Sequence, residues 1–287
     1  MKAQTSRLYH DVEFLTTINP ARNYLNLSSL EKVVGYIQQE FKQCGAAPGT
    51  QTWQAEGREY KNILASYNPD KSRRLIVGAH YDVCGDQPGA DDNASAVAGL
   101  LELARLVFAQ QPALGYRIDF VAYCLEEPPF YATELMGSYV HAKSLHEHKV
   151  DVMGMICLEM IGYFSEKPDS QPFPSPELAE LYPHVANFII VVGIAQYEDF
   201  NRKVHQLMSD GSAIDVQVIS FPAAHGLAGM SDHRNYWKFG YPALMINDTS
   251  FIRNPHYHMP TDTIGTLDFE KMTEVVNSTY RAITNML

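Results

Sequence analysis

At five places in this 287-residue sequence, carboxylates or imidazoles appear where apolar chain has just ended. "LIVGAHYD" runs into His80 and Asp82, and "GADDNAS" carries Asp91 and Asp92. "FVAYCLEE" ends on Glu126 and Glu127, "GMICLEMIG" holds Glu159, and "NPHYHMPTDT" brings His256 and His258. One acid after a buried strand is routine, because chain leaving a core turns polar. Two histidines and four or more carboxylates at one edge are not, since so many anions repel unless cations stand among them. Imidazole nitrogens and carboxylate oxygens together suit zinc first, with manganese or cobalt as alternatives. A carboxylate left over from such a set can carry a proton to and from a reacting water.

Each piece also has a plainer reading. Asp91 and Asp92 open a helical pattern, where acids favour the positive end of the helix dipole. His80 alone reads as a satisfied core or rim histidine. However, Asp82 follows two residues on, and in extended chain that shares a face, so its carboxylate is placed to accept from the second ring nitrogen. Glu126 and Glu127 point apart if the backbone is extended, which gives them separate tasks, and Pro128 and Pro129 end the strand behind them. Glu159 sits within apolar chain and needs a partner, most simply a cation. "HEHKV" at 146–150 reads as a solvated helix end, while His225 and His233 are candidates to line a site. Cys84 lies close enough to His80 to offer an alternative ligand, although the carboxylate-rich set suits it poorly.

The elements that must position these groups follow from periodicity. Apolar strands read at 73–79, 116–125, 152–158 and 187–194, with shorter ones in "DVQVIS" and "PALMIND". Helical spacing reads at 28–44 (Ser28 or Ser29 as cap and Gly45 as stop), 93–108, 136–147, 197–209 and 267–285, with a short capped helix in "SDHRNYWKF". This alternation predicts a three-layer α/β/α sandwich around a central, mostly parallel mixed sheet. In such sheets ligands bind beyond the carboxyl ends of the strands, where the candidates fall. One domain over 1–287 is expected, with the Pro/Ser-rich stretch at 165–178 as a surface excursion.

Composition narrows the partners. A formal net charge of −11 argues against nucleic acid, and no basic run suggests an anionic membrane. The apolar run "ANFIIVVGIA" is well short of the roughly 20 residues a membrane helix needs. The N-terminus has no apolar signal core, which points to a cytoplasmic or already processed chain. The four cysteines form no C-x-x-C pair, and Cys124 and Cys157 lie in apolar runs as buried thiols.

In order along the chain, "HYD", "GADDNAS", "EE", "LEMIG", "SDHRNYW" and "HYHMPTDT" resemble the M28-type co-catalytic zinc aminopeptidases, relatives of glutamate carboxypeptidase and glutaminyl cyclase. The resemblance implies two divalent metal ions, zinc first. His80 and Glu159 would bind one and Glu127 and His258 the other, with Asp92 between them. It implies Glu126 as catalytic base, Tyr257 as support for the oxyanion, and a small peptide with a free N-terminus as substrate. His258 is preferred to His256 because it directly precedes "MPTDT". The family usually has aspartate where Glu159 stands, so the longer arm bears on the metal or on the substrate amine. Two alternatives remain at this point: a single-zinc, glutaminyl-cyclase-like aminoacyltransferase, and a non-catalytic metal-binding homologue. Oligomeric state is left open.

Overall fold

The computed structural model describes residues 1–287. Eight strands form one sheet: β1 (Gly49–Ala55), β2 (Arg58–Tyr67), β3 (Arg74–His80), β4 (Arg117–Tyr123), β5 (Val152–Glu159), β6 (Phe188–Ile194), β7 (Asp215–Phe221) and β8 (Ala243–Asn247). Their order across the sheet is β1-β2-β4-β3-β5-β8-β6-β7. The neighbours β4, β3, β5 and β8 are mutually parallel, so their carboxyl ends share one edge. β2 joins β4 antiparallel and β6 joins β8 antiparallel, which makes the sheet mixed.

The helices are α1 (Thr5–Thr16), α2 (Leu27–Gln43), α3 (Ala96–Gln110), α4 (Gly137–Glu147), α5 (Pro176–Leu181), α6 (Glu198–Ser209), α7 (His233–Lys238) and α8 (Phe269–Thr284). Central strands are apolar throughout because both faces are covered. Leu75, Val77, Ile118, Phe120, Ile156 and Leu158 pack with α1, α2, α3, α6 and α8. The alternate residues Ile76, Val121, Tyr123, Met155 and Cys157 pack with α4 and α7 on the other face. The expected three layers are present.

Besides the short α5, two features were not legible in the sequence. One is α1, held by the buried Asp11 carboxylate, which accepts from Arg105 at 2.6 and 2.9 Å. The other is the β1–β2 hairpin, whose turn residues Glu56 and Gly57 both have positive φ. The expected caps also differ. α2 starts at Leu27 and Ser29 instead donates to the Pro20 carbonyl; neither α2 nor α7 has a side-chain cap. The 165–178 segment crosses β6 and β7, where Phe173, Pro174 and Leu178 wall an apolar cavity with Phe188, Ile190 and Ile219.

Candidate functional site

The parallel strands deliver their terminal residues to one place. β3 ends on His80 and β5 on Glu159, and the pairing of Gly78 with Cys157 sets those two level. Beyond β4 the chain bends at Leu125 (φ 65°), and Met160 (φ 46°) and His258 (φ 55°) share this left-handed conformation. Each such non-glycine residue costs roughly 1–3 kcal/mol, and here the strain turns Glu126, Glu159 and the His258 ring inward. Ala90–Ser95 is an irregular turn ahead of α3, with a cis peptide between Asp92 and Asn93. Gly89 permits it: a Cβ there would stand 2.4 Å from the Asp92 carbonyl.

Five residues from five segments converge. His80 Nε2 lies 3.4 Å from Asp92 Oδ1 and 3.4 Å from Glu159 Oε2. His258 Nε2 lies 3.1 Å from Asp92 Oδ2 and 3.2 Å from Glu127 Oε2. Asp92 therefore faces one imidazole with each oxygen. Glu126 stands 3.9 Å from His80 Nε2, farther than Asp92 and Glu159. A cavity of about 280 Å³ opens over Asp92, Glu126, Glu127, Glu159 and Tyr257. The Tyr257 ring stacks on His258, with centroids 3.8 Å apart.

The supporting bonds differ in part from expectation. His80 Nδ1 faces the Asp82 backbone carbonyl at 3.1 Å, and the carboxylate stands off at 3.6 Å. The Asp82 oxygens accept instead from the backbone N–H groups of Glu126 and Glu127, both at 3.2 Å. Asp262 does the same for the other half, taking the N–H groups of Asp91 at 2.9 Å and Asp92 at 3.1 Å. Asp91 does not cap α3; its carboxylate accepts from Gly162 N at 2.9 Å and Asn254 Nδ2 at 2.7 Å. Ser231 Oγ and Asn93 Nδ2 donate to Glu159 Oε2 at 2.6 and 3.2 Å. Arg22, 2% exposed, donates to the carbonyls of Leu15, Tyr81, Pro88 and Gly89, which pins the chain on both sides of Asp82.

Neither of the two further histidines lines the cavity. His233 is buried against the Ala228 carbonyl at 2.7 Å, and His225 is exposed. His256 bonds Thr261 away from the cluster. Asp262, Ser231, Asn93 and Arg22 carry no periodic signal, although "MPTDT", "SDHRNYW" and "GADDNAS" contain the first three in turn. Asp232 is fully buried and neither of its oxygens accepts a hydrogen bond.

Electrostatics show what the cluster lacks. Burial, then Asp92, pushes Glu127 up to about 7. Burial raises Glu126 well above the carboxylate range, reinforced by Glu127, Glu159 and Asp232 against His80. Burial alone would lower His258, but Asp92 and Glu127 outweigh it and carry it to about 10. His80 is likewise held high against burial by Glu159, Asp82 and Asp92. Thus, beside the buried Arg22 guanidinium, the carboxylates draw positive charge from protons held on the two imidazoles. Glu126 Oε1, Glu127 Oε1 and His258 Nε2 are nonetheless buried without hydrogen-bond partners. A bound divalent ion would supply positive charge and bonds for those oxygens, in place of the imidazole protons. The donor set therefore fits divalent metal ions.

The apolar cavity under 171–178, about 650 Å³, adjoins this site through Met230, Ser250 and Phe251.

The sequence model of peptidase family M28 matches residues 62–282. The chain is 42% identical to the uncharacterized protein YfbL of Escherichia coli (strain K12), over 99% of this chain and 88% of that one. It is 26% identical to leucine aminopeptidase 1 of Arthroderma otae, over 83% of this chain and 62% of that protein's length. The fold is shared with a glutaminyl cyclase of Bacteroides thetaiotaomicron at a TM-score of 0.75 and 21% identity, covering 99% of both chains. Solved aminopeptidases share the fold to a similar degree. No helix is long and apolar enough to cross a membrane.

Proposed function

Because the chain belongs to peptidase family M28, we propose that it is a metal-dependent aminopeptidase that removes the N-terminal residue from small peptides. The observation that carries this reading is the convergence of His80, Asp92, Glu127, Glu159 and His258 around orphaned buried carboxylate oxygens. His80 with Glu159, and Glu127 with His258, would hold two divalent ions, with Asp92 facing both. Zinc suits the oxygen and imidazole donors. When bound, such ions supply Lewis acidity to a scissile carbonyl and acidify a water.

The chain's own residues account for the remaining steps. Glu126 is paired with neither imidazole within 3.5 Å and its raised pKa suits a group that takes a proton and returns it to the departing amine. Tyr257, over the same cavity, has a hydroxyl available for the developing oxyanion. Asp82 acts through the backbone, fixing where Glu126 and Glu127 stand. The anionic wall attracts the ammonium of a peptide N-terminus. The adjoining apolar cavity, mostly hydrophobic, suits a bulky apolar first side chain.

The test is Glu126→Gln, which should keep the metal content and lower turnover of aminoacyl substrates by about 10²-fold or more. Wild-type turnover in that variant would remove the base assignment. A peptide with N-terminal glutamine serves as control: cyclisation, with one ion per chain and no released residue, would replace the hydrolase reading with a transferase.

A further inference from the structure

A second hollow of about 160 Å³ lies beside the site, lined by Cys84, Gln87, Asp92, Glu127, His258 and Asp262 among others. It shares Asp92 and Glu127 with the substrate cavity but reaches none of Glu126, Glu159 or Tyr257. Within it, Cys84 Sγ, a Glu127 carboxylate oxygen and a His258 ring nitrogen all lie within 4.8 Å of one another. Glu127 is 4% exposed and its Oε1 has no hydrogen-bond partner. The hydrolysis proposed above uses no sulfur.

The loop carrying Cys84 is well fixed. Val83 N donates to the Arg22 carbonyl at 3.3 Å, and Asn23 Nδ2 donates to the Gly85 carbonyl at 2.7 Å and to Asp86 Oδ1 at 3.0 Å. Gln87 Nε2 donates to the His258 carbonyl at 2.6 Å, which ties this loop to the histidine. The thiol is therefore part of the architecture around Glu127 and His258.

We propose that Cys84, Glu127 and His258 form a sulfur-containing site that makes this metal position selective for thiophilic divalent cations, zinc and cadmium, over manganese. The inference rests on the two-ion reading. Its chemistry is ligand binding: the thiol proton passes to solvent as the sulfur–metal bond forms, with no change of oxidation state. A thiolate added to carboxylate and imidazole shifts preference toward soft and borderline ions.

The experiment uses the full chain carrying Cys44→Ser, which leaves Cys84 as the one cysteine that is not buried. Titration with cadmium should raise a thiolate-to-cadmium charge-transfer band in the ultraviolet and slow alkylation of Cys84. Adding Cys84→Ser should abolish the band and weaken cadmium and zinc binding by on the order of tenfold or more, a loss at least that of an outer partner of a metal ligand. Manganese binding should hold in both proteins. Cadmium bound without the band, with alkylation unchanged, would overturn the proposal while leaving two-ion binding intact. Failure to bind any of the three metals would overturn both.

Discussion

Replacing Asp262 with alanine should damage metal binding although Asp262 is not a proposed ligand. Its two oxygens accept from Asp91 N at 2.9 Å and Asp92 N at 3.1 Å, inside an irregular turn. Each buried N–H left unpaired costs about 1–3 kcal/mol, so the pair costs roughly 2–6 kcal/mol if the turn stays in place. If the turn tilts to recover those bonds, the stability loss shrinks, but Asp92 leaves its position between His80 and His258. Metal affinity should then fall about 10–100-fold, as for other residues that orient a ligand. Asp262→Asn keeps one acceptor and turns an amide N–H₂ toward the other donor, so it should rank between wild type and alanine. Chelator competition gives the metal affinity, and urea unfolding of the metal-free protein gives the stability. An alanine variant with unchanged affinity, and stability within about 0.5 kcal/mol of wild type, would refute the clamp.

Three further outcomes follow from the same geometry. Ile219→Trp narrows the apolar cavity and should lower kcat/KM for bulky apolar N-terminal residues by about tenfold or more while sparing alanine, measured on a panel of aminoacyl anilides. Asp232→Asn should raise the stability of the metal-free protein at pH 8 more than at pH 5. Burial raises the Asp232 pKa from 3.8 to about 7, so its contribution is complete below pH 3.8 and is lost as pH rises through 7, by at most roughly 4 kcal/mol; equal effects at both pH values would contradict this. Chelation should destabilise wild type more at pH 8 than at pH 5, because Glu127 (4.5 raised to about 7) and His258 (6.5 raised to about 10) both lose stabilising protons as pH rises. Thermal melts with and without chelator measure that difference.

The central layers were legible because β3, β4, β5 and β6 are buried on both faces and read as unbroken apolar runs. The abrupt change to His80, Glu126 or Glu159 then marks the sheet edge. β1 was not legible because it is an edge strand with exposed Gly49, Thr50 and Thr52, and its Glu-Gly turn is less distinctive than Asn-Gly. α1 shows Leu8, Val12 and Leu15 at helical spacing, but its anchor is the remote Arg105. Capping by Asp91 is a local rule overridden by bonds to Gly162 and Asn254. Asp82 illustrates a further limit. Spacing correctly brings it beside His80, yet its carboxylate serves backbone 44 and 45 residues away, and no periodicity encodes that choice.

The most direct measurement is anomalous scattering from a crystal of the metal-loaded protein, collected at the zinc absorption edge. The account requires two peaks in one pocket, one against His80 and Glu159, the other against Glu127 and His258, with Asp92 reaching both. A single peak, or ions bound only elsewhere on the chain while these side chains pair among themselves, would contradict it.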